Sequence, residues 1–334
     1  MVASRNNRFT EPVLRAVASA LSGQVTQAGS VLLVGYSGGL DSTVLLHALH
    51  HLARGGSYRI AARHVHHGLS GQADAWAESC VRFCAALGVP LDVVRVNIAN
   101  HKEEGLEAAA RRLRHAALAD HPADWILLAH HADDQAETLL HNLFRGTGVR
   151  GAAAMPAANG RLLRPLLALA RSDLQEYART RCLSWIEDES NADPRHTRNF
   201  LRTRVLPVIA DRFPQVSHRL ASAARRFGEA ECLLGQLALI DLGERSPQFP
   251  LPLYLFRELQ DARARNLLRA LLGWQLVQAP DEPRLAEFVR QLRTAGNDRR
   301  PRIELRDYLL WCESGSLHFQ RKVRRLARPC EPSS

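Results

Sequence analysis

Apolar positions along this chain follow an alternating rhythm. Val31 to Tyr36 is a short unbroken apolar run, the pattern of a strand buried on both faces. Glycines follow, and Asp41 to Leu52 then takes up a helical period. Arg59 to Val65 reads as a second strand, and Asp74 to Leu87 as a helix ended by Gly88-Val89-Pro90. Leu91 to Val96 and Leu106 to Leu118 repeat the pair, as do Trp125 to Ala129 and Asp133 to Phe144, the last helix stopped by Gly146 and Gly148. Four consecutive strand–helix alternations predict an α/β fold: a parallel sheet with right-handed crossovers and helices on both faces. Such sheets bind ligands at the carboxyl ends of their strands.

After Gly151 the rhythm breaks. Arg171 to Arg181 and Arg198 to Ile209 look helical and are expected to pack back on the sheet. Val216 to Leu242 is a long helical stretch, followed by Pro247, Pro250 and Pro252. Two more helical patterns, Arg257 to Leu272 and Asp281 to Thr294, precede strand-like pieces at Ile303 to Leu305, Tyr308 to Cys312 and Leu317 to Gln320. We therefore expect two domains, 1–215 and 216–330, the second smaller and mainly α. The length of 334 residues agrees with two, at about 150 residues per domain.

Composition narrows the class. Hydrophobic residues at 46% and charged residues at 23% are ordinary for a globular protein and exclude a disordered chain. There is no apolar run of about 18 residues, so no membrane span is expected. The polar start, Met1 to Glu11, lacks the apolar core of a secretory signal. A cytoplasmic location is the expectation.

Charge changes the picture more. The formal net charge is +10, which favours a polyanionic partner, nucleic acid first. Lys102 and Lys322 are the only lysines, and the other 42 basic residues are arginines, whose planar fork suits phosphates and stacks on bases. Neither lysine sits in a glycine-rich loop, which excludes a Walker-type phosphate lysine. The six cysteines form no C-x-x-C pair. Cys80 and Cys84 share a helix, but no second pair completes a zinc site.

Ser37-Gly38-Gly39-Leu40-Asp41-Ser42 lies between the first strand and the first helix. Small residues let backbone N–H groups approach an anion, and the helix N-terminus adds about half a positive charge. A plain glycine turn with a Ser/Asp cap would use the same residues. Asp41 sharpens the choice, because a carboxylate beside phosphates is repulsive unless a cation lies between them. It points to Mg²⁺ or a cationic substrate group.

A second cluster opens the fourth helix: His130, His131, Asp133, Asp134 and Glu137. Asp134 and Glu137 are three apart and share a helix face. Like charges so close call for a cation, metal or ammonium, although an acidic first turn is also favoured by the helix dipole. The histidines, with His66 and His67, are read as hydrogen-bonding groups rather than metal ligands.

The loop S-G-G-L-D-S resembles the pyrophosphate-binding loop of the PP-loop ATP pyrophosphatases, of the adenine nucleotide α-hydrolase-like fold. Four further stretches narrow the branch: His64-Val65-His66-His67-Gly68-Leu69; Ala129 to Thr138 with Arg145-Gly146-Thr147-Gly148; Arg164-Pro165-Leu166-Leu167; and Trp185, Asp188, Ser190 and Asn191 followed by Arg198-Asn199-Phe200-Leu201-Arg202. Together, from about Val31 to Pro207, they resemble the tRNA(Ile)-lysidine synthetase family. Glu107, Arg111 and Arg114 match a further pattern of that family, with His115 where tyrosine is usual. Many longer members carry an additional C-terminal domain, which this sequence is expected to lack.

The resemblance implies a carbon–nitrogen ligase that uses ATP and Mg²⁺. ATP adenylates O2 of the wobble cytidine of a CAU-anticodon isoleucine tRNA. The ε-amine of free L-lysine then attacks C2 to give lysidine, with pyrophosphate and AMP released, and decoding changes from AUG to AUA. It also implies residue roles. Ser37, Gly38, Gly39, Leu40, Asp41, Ser42 and His66 would hold the nucleotide, and Asp41 the metal. Asp134 and Glu137 would hold the lysine, His130 would assist, and Arg111, Arg198 and Arg202 would meet the nucleotide phosphate or the adenylate. A homodimer is one expected assembly. Two other readings compete: a tRNA thiolation enzyme of the same fold, against which the missing C-x-x-C argues, and a catalytically dead nucleic-acid-binding module, which would not need Asp41, Asp134 and Glu137.

Overall fold

The computed structural model describes residues 7–25, 27–53, 58–98, 105–187, 197–294 and 300–322, with backbone alone for 7–11 and Glu107. Asp188, Ser190 and Asn191 lie outside these residues. The chain divides into two compact units, 1–228 and 229–334.

In the first unit the alternation appears as β1 (Ser30–Gly35), α2 (Leu40–Ala53), β2 (Tyr58–His66), α3 (Ala73–Leu87), β3 (Leu91–Arg95), α4 (Leu106–Ala119), β4 (Trp125–Leu127) and α5 (Ala132–Phe144). Together with β5 (Ala158–Asn159) and β6 (Leu162–Leu163) the strands form one sheet in the order β3-β2-β1-β4-β6-β5. All pairs are parallel except the β5–β6 hairpin. β1 is central because both its faces are apolar. Leu32 and Val34 pack on one side with Val44, Leu45 and Leu49 of α2, and Leu33 packs on the other with Leu118, Ile126 and Leu128. A strand covered on both faces shows no polar alternation, which is why β1 reads as a continuous apolar run.

The pattern of apolar positions missed α1 (Asn7–Ser22), which buries Val13, Val17 and Leu21, spaced at four residues, against the same core as α2 and α7 (Arg171–Thr180). The helix expected over Arg198 to Ile209 is interrupted. α8 (Thr197–Phe200) passes through a π-helical turn at Leu201–Val205 before α9 (Leu206–Arg212). Such turns often re-aim side chains at functional sites, and this one carries Arg202.

In the second unit, α11 (Tyr254–Glu258), α12 (Asp261–Trp274) and α13 (Glu282–Thr294) supply most of the core through Phe256, Leu267, Leu271, Leu285 and Phe288. The strand-like pieces are strands: β8 (Arg302–Glu304), β9 (Tyr308–Glu313) and β10 (Ser316–Arg321), joined by β7 (Leu251–Pro252) in an antiparallel sheet ordered β7-β10-β9-β8. α6 (Val149–Ala152) and the long α10 (Val216–Leu242) complete the helices. No helix among the described residues is long and apolar enough to cross a membrane.

Candidate functional site

Two strand-to-helix junctions lie side by side, because β1 and β4 are parallel neighbours, with Val34 opposite Leu127. The first is the glycine turn. Gly38 has φ +83°, a left-handed conformation suited to glycine. A Cβ there would fall 2.5 Å from Ile186 Cδ1 and 2.8 Å from Cys80 Sγ. The Ile186 N–H donates to Gly38 O at 2.9 Å, so the segment after α7 braces the turn. Ser42 Oγ accepts from the Ser37 N–H at 3.2 Å and donates to Gly39 O at 3.0 Å, and the two serine hydroxyls stand 3.0 Å apart. Thr43 Oγ1 donates to Gly38 O at 3.3 Å. These bonds fix the loop as a concave turn at a helix N-terminus, suited to an anion.

The second junction is ionic. His131 is the N-cap of α5, and its own N–H donates to Asp134 Oδ2 at 3.0 Å. Its ring, almost fully buried, holds three carboxylates: Nε2 is 3.6 Å from Asp41 Oδ2 and 3.5 Å from Asp134 Oδ2, and Nδ1 is 3.3 Å from Asp133 Oδ2. Burial alone would favour neutral imidazole, but Asp133, Asp41 and Asp134 outweigh it and lift the His131 pKa to about 10. The surrounding carboxylates thus favour the protonated ring, and His131 links the two junctions through Asp41. Asp133 also accepts the Ser217 hydroxyl at 2.7 Å and the Arg171 N–H at 2.9 Å. Burial acts against its charge, but the His131 hydrogen bond leads the opposing contacts and holds its carboxyl well below the usual range.

Glu137, 3% exposed, lies one turn further on. Arg202 meets it with two nitrogens, Nε on Oε1 and Nη2 on Oε2 at 3.0 Å, while Nη2 also reaches Asp134 Oδ1 at 3.1 Å. Burial raises the Glu137 pKa and Arg202 pulls it back only partly. The cation among these carboxylates is thus the chain's own guanidinium, brought in by the π-helical turn.

His130 differs sharply from its neighbour. It accepts from Arg164 Nε at 3.3 Å, and burial pushes its pKa down to about 3, so it stays neutral. His66 ends β2 at the same edge of the sheet, its Nε2 3.2 Å from Asp74 Oδ1. Arg111 on α4 and Arg198 on α8 are half-buried. Asp41 Oδ1 is buried without a hydrogen-bond partner, an orphan acceptor suited to a cation. Among the described residues no set of three or more His, Cys, Asp or Glu side chains forms a metal cage.

Residues 9–209 match the family of the PP-loop domain. The chain belongs to the PP-loop ATP-binding family. Residues 251–318 match the TilS substrate binding domain. A tRNA(Ile)-lysidine synthase of Aromatoleum aromaticum is 50% identical over 268 residues, 78% of this chain and 62% of that protein. Its counterpart in Alkalilimnicola ehrlichii is 46% identical over 88% of this chain and 66% of the relative. This PP-loop chain thus spans just under two thirds of the length of these relatives. The U34-tRNA thiolase NcsA of Methanococcus maripaludis superposes with a TM-score of 0.58 at 16% identity, over 67% of this chain and 80% of that one, a likeness of fold.

Within this PP-loop fold, Asp41, Asp134, Glu137 and Arg202 come together around His131. Sequence reasoning placed His131 and Asp133 in the cluster but assigned a site role only to His130, Asp134 and Glu137 among these residues. Asp133 and Asp134, two and three residues after His131, were a local signal for its N-cap position, but the Asp41 and Arg164 contacts had none. Their difference arises from what surrounds each ring: carboxylates from two junctions for one, and Arg164 for the other.

Proposed function

We propose that this chain is a tRNA(Ile)-lysidine synthetase that ligates free L-lysine to C2 of the wobble cytidine of the CAU-anticodon tRNA(Ile), through an adenylated intermediate, so that AUG decoding becomes AUA decoding. The observation that carries the reading is the joining of the two junctions: an anion-binding turn and a carboxylate cluster meet at Asp41 and His131. The TilS substrate binding domain match and the relatives' names support the same reading. Residues 1–215 would form the catalytic domain and 216–330 the tRNA-binding domain.

In the first step, cytidine O2 attacks the α-phosphorus of ATP and pyrophosphate leaves. Backbone N–H groups and hydroxyls of Ser37, Gly38, Gly39, Leu40 and Ser42 hold the departing phosphates. Mg²⁺, when bound, would be held by Asp41 Oδ1 and would offset the phosphate charge. In the second step the lysine ε-amine adds to C2, the C2–O2 bond breaks so that AMP leaves carrying O2 as one of its phosphate oxygens, and the amine gives up its protons. A free amine at pH 7 is roughly 0.04% neutral. Asp134 and Glu137 would bind the ammonium and lower the cost of bringing it to the base. Burial raises the Glu137 pKa, which favours this carboxylate as a proton acceptor. Because Arg202 already spans this pair, lysine must share or displace the guanidinium, freeing it for the adenylate. Arg111 and Arg198 would contact the same phosphate, His66 the nucleotide, and His130 would serve as a neutral hydrogen-bonding group.

The test is direct: incubate the protein with ATP, labelled lysine and the isoleucine tRNA, digest the tRNA and analyse its nucleosides by mass. The expected product is cytidine plus lysine minus water, carrying the label. Pyrophosphate release without any labelled nucleoside would overturn the assignment.

A further inference from the structure

The far end of α5 carries a feature that the proposed chemistry does not use. Phe144 is 71% exposed, and Leu143 beside it is 43% exposed. Burial of a phenylalanine is normally worth a few kcal/mol, so a ring left this open on an ordered helix needs a reason. Its place supplies one. Phe144 is seven residues beyond Glu137, two helical turns, and so lies on the same side of α5, about 10 Å further along the axis. The segment that delivers Arg202 to Glu137 packs on this helix and carries a second open ring, Phe200, 47% exposed. Exposed arginines, Arg145, Arg150 and Arg204, accompany the two rings.

We propose that Phe144 and Phe200 form a stacking platform for the bases next to the one that is modified. The proposal rests on the reading above and deepens it by naming which part of the RNA these residues meet. A base drawn into the pocket must leave its stack, and its neighbours lose a stacking partner on that side. Open aromatic rings about one to two nucleotides away replace it, and nearby arginines neutralise the phosphates between. The occupant is single-stranded RNA of the anticodon loop rather than a protein, because the chain's net charge is +10 and the rings continue the face of the candidate site.

The probe is a synthetic stem-loop with the CAU anticodon loop of the isoleucine tRNA, its affinity measured against salt concentration. Phe144→Leu keeps the apolar surface and removes the ring. We expect affinity to fall about tenfold, with the slope of log affinity against log salt unchanged, because no phosphate contact is lost. Phe144→Trp restores binding. Arg150→Ala, by contrast, flattens the slope. Wild-type affinity in Phe144→Leu and in Phe200→Leu would overturn the platform, as would a change in sedimentation with RNA binding intact, which would mark the rings as a protein contact. If wild-type protein neither binds the stem-loop nor makes lysidine, the functional reading itself has failed. If it does both and the ring variants match it, only the platform has failed.

Discussion

The two junctions that flank β1 and β4 do related work with opposite materials. The glycine turn uses backbone amides and hydroxyls, held by bonds within seven residues and by one bond from Ile186. The junction at α5 uses charged groups: His131, Asp133, Asp134 and Glu137, joined by Asp41 and Arg202 from elsewhere in the chain. Backbone amides can accept a polyanion without paired counter-charges of their own. A carboxylate cluster repels itself until cations offset it, and here His131 and Arg202 offset it in part. The proposed anion site is built locally, whereas the carboxylate cluster gains Asp41 and Arg202 only when distant segments fold together.

Asp41 belongs to both junctions, so its loss breaks the comparison most. Asp41→Asn keeps the shape but removes the charge beside both the phosphates and His131. Turnover, followed as pyrophosphate release with tRNA and lysine, is expected to fall about 10³-fold, the scale of a lost electrostatic catalytic group, with the thermal transition retained. Near-normal turnover would remove Asp41 from the chemistry.

Glu137→Gln affects one side only. It replaces a charge-assisted contact with Arg202 by a neutral one, worth about 1.5–3 kcal/mol. The lysine concentration for half-maximal rate should rise about 10- to 100-fold while the adenylation step proceeds, so that adenylated tRNA accumulates. An unchanged lysine dependence would contradict the role given to the carboxylate pair.

Gly38→Ala probes the other side. The left-handed φ costs a side chain about 1 kcal/mol, and the new Cβ would press on Ile186 and Cys80. We expect ATP affinity to weaken about tenfold and the lysine dependence to stay as it was. Equal losses for both substrates would mean that the junctions are not separable.

This contrast also explains what could be read in advance. The buried run Val31–Gly35 and the residues Ser37 to Ser42 carry their structure in adjacent positions, so strand, turn and helix start were legible. Helix α1 was not, because Val13, Val17 and Leu21 make a face only against α2 and α7. Nor was the Arg202 contact, which spans 65 residues and depends on a π-helical turn that no local pattern marks. His131 and His130 are adjacent in sequence with pKa values shifted in opposite directions, and the part set by Asp41 on one ring and Arg164 on the other is tertiary.

The smallest effect is a slope. The His131 pKa in the folded chain, about 10, lies above its unfolded value near 6.5. Its contribution to stability is therefore complete below pH 6.5 and is lost as pH rises through 10. Asp133 acts in the opposite sense: its lowered pKa stabilises the fold above the usual carboxylate range and the benefit disappears as pH falls. Urea unfolding of the wild type should give a plateau from about pH 5 to 6.5. Above it stability should decline by no more than about 1.4 kcal/mol per pH unit, the limit for one proton. His131→Gln should flatten the alkaline decline, whereas Ser42→Ala in the glycine turn should leave it intact, since no titrating group is altered there. A decline that persists unchanged in His131→Gln would place the titration elsewhere and detach His131 from the link between the junctions.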